Sequence, residues 1–123
     1  MKIAFRDIVK TLKSGGENLC TAVEERTNNK YKLVSEQYER DMLHYKIKER
    51  VIIREGEKGA FLKGTSKYKK IPIKFFNPNP TQIYGDNVQI IIWGNPDHLI
   101  IIRSKEVADS YRKQFEFMWK YAK

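Results

Sequence analysis

VQIIIWGNPDHLIII, residues Val88 to Ile102, is the stretch on which the reading of this chain turns. Two apolar runs rich in β-branched residues flank a polar knot, Asn95-Pro96-Asp97-His98. The knot can be a site, its Asp and His placed for chemistry, or it can be the turn that lets two strands pair. Runs such as VQIIIW and LIIIRS suit strands buried on both faces. Gly94-Asn95-Pro96-Asp97 holds the residues that tight turns select on conformational grounds. A catalytic Asp–His pair would need a nucleophile or a third orienting group, and none stands beside it. The stretch is read as a β-hairpin, expected to form the centre of a mixed sheet.

Working outward, TQIY and VQIIIW are two strands with a tight turn at Gly85-Asp86-Asn87 between them. After the hairpin a helix is expected from about Lys105 to Ala122, with Ser104 placed to cap it and Glu106 and Asp109 suiting the positive end of its dipole. Val107, Ala108, Tyr111, Phe115, Met118 and Trp119 recur at helical spacing and form its apolar face. Near the N-terminus, Phe5, Ile8, Val9 and Leu12 make the stripe of a short amphipathic helix, stopped at Gly15-Gly16. NLCTAVE reads as a strand, TNNK as a turn, and Tyr31 to about Lys48 as a helix with Tyr31, Val34, Tyr38, Met42 and Tyr45 on one face. VIIRE follows as a buried strand. Residues 56–70 show little periodicity and are expected to be a mobile basic loop. IPIKFF reads as a further strand, with Pro72 at an edge or a beginning. Asn77-Pro78-Asn79-Pro80 is a stiff connector. The alternation of helix and strand makes this one α/β (α+β) domain over residues 1–123, a mixed β-sheet with flanking helices.

Composition bounds the function. A chain of 123 residues, 41% hydrophobic, builds one core and is too short for two domains. No apolar run approaches the roughly 20 residues that span a bilayer, and no signal-peptide pattern opens the chain. A single cysteine, Cys20, excludes an internal disulfide and a cysteine zinc cluster, and fits a reducing cytosol. No metal, cofactor or membrane partner is expected. The formal net charge of +9 favours a polyanion partner unless the chain is simply lysine-rich.

One further pattern invites a catalytic reading. His44-Tyr45-Lys46 has the H-x-K spacing of the phospholipase D signature, which continues with four residues and an aspartate. Here that position is Val51, and no G-S-x-N follows. No catalytic residue is assigned.

KYKKIPIKFF, IYGDNVQIIIW and HLIIIRSKEVADSYRKQFEFMWK together resemble the phospholipase D-like effector domain of TrmB-type archaeal transcriptional regulators. The match rests on Ile83-Tyr84-Gly85-Asp86-Asn87-Val88 and on Val107-Ala108, Tyr111-Arg112, Phe115 and Met118-Trp119. These motifs, within residues 68–119, are framework: Tyr84, Gly85, Tyr111, Phe115, Met118 and Trp119 are structural. The resemblance implies a phospholipase D-like half-domain that regulates without catalysis, by sensing a ligand, dimerising or contacting another regulatory protein. The winged helix that precedes this domain in the family is expected to be missing, and so is the sugar-binding domain that follows it; sugar binding is not carried over.

A nucleic-acid reading stands beside the regulatory one. From Lys58 to Gly85 there are six lysines and no acidic residue, with Tyr68, Phe75 and Phe76 interleaved. Lysines follow phosphates without reading sequence, and aromatic rings stack on unpaired bases. Lys63, Lys67, Tyr68, Lys69, Lys70 and Lys74 are the residues such a site would use. Alternatively the lysines merely solvate a loop while Phe75 and Phe76 pack inward.

Overall fold

Ala4, Ile8 and Leu12, each buried, stand at four-residue spacing and make α1 (Lys2–Leu12) amphipathic. The computed structural model describes residues 2–21, 29–56, 66–77 and 79–123, and for 29–32 the backbone alone. Along them run α1, β1 (Glu17–Thr21), α2 (Asn29–His44), β2 (Lys48–Arg54), β3 (Ser66–Ile71), a 3-10 turn at Ile73–Phe75, β4 (Thr81–Tyr84), β5 (Asn87–Ile92), β6 (His98–Arg103) and α3 (Lys105–Tyr121). The strands form one six-stranded mixed sheet in the order β3-β2-β1-β4-β5-β6. β1, β2 and β3 are parallel to one another, while β1–β4, β4–β5 and β5–β6 are antiparallel. The chain is a single α/β domain, and among the described residues no helix is long and apolar enough to cross a membrane.

Strand alternation sorts the side chains to two faces. Ile8, Leu12, Tyr38, Met42, Ile47 and Tyr84 form the core under α1 and α2. Leu19, Ile52, Ile83 and Val88 meet Ala108 and Phe115 of α3 on the other face, joined by the half-buried Tyr111, Met118 and Trp119. The apolar face expected of the last helix is thus the one that packs. Its cap is also as expected: the Ser104 side chain accepts from the Val107 N–H at 3.2 Å. The knot at 95–98 joins β5 to β6, and the Asp97 carboxylate accepts from the Gly94 N–H at 2.9 Å; the Asn95–Pro96 peptide is cis. At the other turn Gly85 takes φ +57°, while Asp86 keeps negative φ, and a Cβ on Gly85 would come within 2.9 Å of Thr11 Cγ2.

Four expectations are corrected. The isoleucine hairpin is not the centre of the sheet: β1 and β4 are, and β6 is an edge strand with Ile100 43% exposed. α3 begins one residue after β6 and crosses toward β1, so it leaves part of β6 bare. The second helix ends at His44 rather than Lys48. There Lys46 adopts φ +54°, and the N–H groups of Lys46 and Ile47 return to the carbonyls of Leu43 and Met42, a Schellman closure that buries Ile47 beside Met42. The next strand accordingly starts at Lys48, before Val51. Residues 66–70 are not loop but part of β3, since they pair in register with Glu49–Ile53; residues 57–65 of the expected loop lie outside the described residues. IPIKFF is not a strand: Pro72 lacks the N–H a ladder needs, so β3 stops at Ile71 and a 3-10 turn follows. The TNNK turn and the NPNP connector lie partly outside the described residues.

Candidate functional site

β3 sends its side chains alternately to the two sides of the sheet, and this disperses the lysine site read from the sequence. Tyr68 packs against Cys20, Val51 and Ile53 on the face of α1 and α2. Lys69 points the other way: its Nζ lies 4.8 Å from the Trp119 ring centre and donates to the Trp119 carbonyl at 2.9 Å. Lys67 and Lys70 are exposed, again on opposite faces, and the Lys70 carbonyl accepts from the Lys123 N–H. Lys74 sits over the exposed Phe75 ring at 5.0 Å. Lys63 lies outside the described residues. Among the described residues, Lys67, Tyr68, Lys69 and Lys70 are therefore divided between the two faces of the sheet. Phe75, which the solvated-loop alternative turns partly inward, is exposed, and Phe76 is half-buried. His44, the first residue of the H-x-K pattern, is exposed at the end of α2, its ring edge-on to Tyr45. Among the described residues no group of three His, Cys, Asp or Glu side chains could hold a metal ion.

Three of the framework residues, Tyr111, Phe115 and Met118, line a cleft on the α3 face, while Tyr84 belongs to the core on the other face. Tyr111, Gln114, Phe115 and Met118 of α3 face Thr21, Ile52, Ile71, Thr81 and Ile83 of the sheet, and Phe75, Phe76 and Asn77 close one side. The cavity holds about 180 Å³. Its position follows from the topology. The chain moves from β1 outward through β2 to β3, then crosses back to place β4 on the other side of β1. β1 and β4 are thus the point where strand order reverses. Thr21 ends β1 there and Thr81 begins β4 beside it, with the Thr21 hydroxyl 3.5 Å from the Thr81 carbonyl. Thr21, Thr81, Tyr111, Asn77 and Gln114 supply donors and acceptors around apolar walls, and none of the lining residues is charged. Tyr111, Phe115 and Met118 were legible as helix-face residues; their partners across the cleft come from four other segments.

On the opposite face a polar cluster is sealed inside the sheet. The Asn18 Nδ2 lies 2.8 Å from Glu49 Oε2, 2.8 Å from Gln82 Oε1 and 3.3 Å from the Tyr38 oxygen. Tyr38 donates to the same Glu49 oxygen at 3.0 Å, and Ser66 to the other at 3.3 Å. Burial pushes the Glu49 carboxyl above its ordinary value, against the three hydrogen bonds that favour its charge. Burial, and then the neighbouring Glu49, likewise push the Cys20 thiol and Tyr38 hydroxyl up. These groups tie four strands and α2 together, with Glu49 only 5% exposed. Nothing in the sequence announces them, since the partners are 20, 31 and 64 residues apart.

Comparison of the chain with protein-family models, with curated proteins and with solved structures found no match.

Proposed function

We propose that this chain is a non-catalytic regulatory domain that senses a small, uncharged, ring-bearing molecule in the cleft between α3 and the sheet. The observation that carries the reading is the composition of that cleft. Phe75, Phe76, Tyr111 and Phe115 surround it, with amides and hydroxyls at its rim and no charge to offset an ionic ligand. Its volume is close to that of an apolar cavity of about 150 Å³ that accommodates benzene, so one ring with a few polar substituents is the fitting size. The lining residues include no histidine, carboxylate or cysteine, so a hydroxyl there has no adjacent base to activate it. The resemblance of residues 68–119 to the effector domain of TrmB-type regulators supports the regulatory half of the reading. Occupancy would tie α3 to the segment after β3, which is how binding could be passed on to a partner domain.

The test is a titration of uniformly labelled protein with phenol, benzamide, uracil and indole, followed in amide correlation spectra. Saturable shifts clustered at Thr21, Asn77, Thr81 and Gln114 are expected, with a rise in melting temperature at saturation. Gln114→Ala should weaken the bound probe several-fold without lowering the melting temperature of the free protein. Absence of saturable shifts at millimolar concentrations, or shifts scattered away from the cleft, would sink the proposal.

A further inference from the structure

We infer that the solvent face of α1 binds the phosphate backbone of duplex nucleic acid without reading its sequence. Lys2, Arg6 and Lys10 on α1, with Lys13 just past its end, are all exposed. At about 100° per residue they fall within a sector of about 80°, directly opposite the buried Ala4, Ile8 and Leu12. The helix thus turns an apolar stripe to the core and a cationic one to solvent, with the exposed Ile3 at the edge of the cationic stripe. Asp7 is the one acidic residue of α1 and lies off the stripe. It is already engaged, by Arg103 at 3.0 Å and by the Tyr84 hydroxyl at 2.6 Å, with the charge of Lys10 acting on it more weakly.

Elsewhere many cations are spent on the fold. Arg50 pairs with Glu17 and Glu116, Arg103 with Asp7, and Lys105 and Arg112 with Asp109. Among the described residues, the side chains of Lys2, Arg6, Lys10 and Lys13 make no salt bridge or hydrogen bond. Four like charges, each about 5–6 Å further along the helix axis, repel one another by amounts an exposed helix tolerates but does not favour. A polyanion would relieve that repulsion.

Which polyanion follows from what surrounds the charges. A membrane-surface helix inserts its apolar face among the lipids, but here that face is in the core against α2 and the sheet. Surfaces that hold single strands add aromatic rings on which bases stack. α1 has one such ring, Phe5, and it is stacked on Tyr38 at 4.6 Å and half-buried. What remains is a straight row of point charges about 16 Å long, matching the axial rise of four to five phosphates along one strand of a duplex.

The experiment is fluorescence anisotropy with a 20-base-pair duplex, a single strand of equal length, and vesicles of phosphatidylglycerol and phosphatidylcholine, from 50 to 200 mM salt. Four contacts predict a slope of log affinity on log salt of about −3.6, a fall of about 150-fold across that range. The variant R6Q/K10Q should halve the slope to about −1.8 while keeping the parent's melting temperature, since both side chains are exposed. K67Q/K70Q, on β3, should leave it unchanged. Mixed-sequence and AT-rich duplexes should bind alike. The inference is overturned if R6Q/K10Q keeps the parent slope, if the slope falls in K67Q/K70Q instead, if single strands or vesicles bind as well as duplex, or if no saturable binding occurs at 50 mM salt.

Discussion

Glu49 and Asn18 face each other across the parallel β1–β2 pair, Asn18 Nδ2 donating to Glu49 Oε2 at 2.8 Å in the interior of the sheet. Burial outweighs the three hydrogen bonds to the carboxylate, so its pKa is higher folded than unfolded. The folded state therefore holds the proton more tightly. The stability this lends is fully present below the ordinary glutamate value near 4.5 and is lost as pH rises through the raised folded value. Glu49→Gln should flatten that part of the stability-against-pH curve, because its oxygen can still accept from Asn18 and Tyr38 while its NH2 donates to Ser66. Urea titrations at several pH values check this. Asn18→Leu, which strips the carboxylate of a donor, should cost about 1.5–3 kcal/mol at neutral pH.

Asp7 titrates in the opposite sense. Burial opposes its ionisation, but hydrogen bonds from Arg103 and Tyr84 and the charge of Arg103 hold its carboxyl below the ordinary range. Its contribution is present above pH 3.8 and is lost as pH falls through the lower folded value. Asp7→Asn should make acid unfolding less steep below pH 4 and leave the arm governed by Glu49 untouched. A steeper acid arm in Asp7→Asn would contradict the assignment.

Phe115 and Trp119 stack at 5.8 Å on the same face of α3, but only Phe115 is fully enclosed. Phe115→Ala should cost about 3–5 kcal/mol, the range for an aromatic ring removed from a core. Trp119→Ala should cost less. The Trp119 ring is half-buried and sits beneath Arg50 and Lys69, cation contacts worth roughly 0.5–1 kcal/mol each. Chemical denaturation of the two variants side by side would show the order; equal losses would mean Trp119 is as enclosed as Phe115.

At Gly85 two constraints coincide, a positive φ and the approach of Thr11 Cγ2. Gly85→Ala should lose about 1–2 kcal/mol to the left-handed backbone alone, and more to the contact. Adding Thr11→Ser removes the methyl and keeps the hydroxyl that donates to the Asp7 carbonyl at 2.8 Å. Thermal melts of the single and double variants separate the two effects: the double variant should recover the contact part only.

What the sequence made legible is what local pattern governs. Ile8 and Leu12 on α1, the Ser104 cap, the glycine turn at 85 and the face from Val107 to Trp119 are each decided by residues within a few positions of one another. The order of the strands is decided by distant partners. An isoleucine run reads as central, yet the centre went to ENLCT and TQIY, whose Asn18 and Gln82 look like surface residues until the Asn18 amide is seen to donate to Gln82 at 2.8 Å. Pro72 was legible as a strand marker but its sign was not, since an edge, a beginning and an end all tolerate a missing N–H. The cleft was half legible: Tyr111, Phe115 and Met118 share a helical face, but Thr21, Asn77 and Thr81 reach it only through the reversal at β1 and β4. The stripe of Lys2, Arg6, Lys10 and Lys13 has helical spacing and stands in the sequence itself, on the side of the first helix away from its apolar residues.

The seam between β1 and β4 also orders events in time. A ribosome releases β1 first, but its neighbour on one side, residues 81–84, is made some sixty residues later. α1 waits longer still, because the Gln89 side chain that holds the Ala4 carbonyl and the Arg103 that holds Asp7 belong to the last hairpin. A nascent chain ending near residue 77 therefore carries a three-stranded half-sheet with its most buried strand bare along one side. Closing a loop of that length costs entropy before any contact repays it, and folds built this way assemble more slowly than helical ones of equal size. The domain completes itself late, when its final hairpin and the α3 helix after it have arrived.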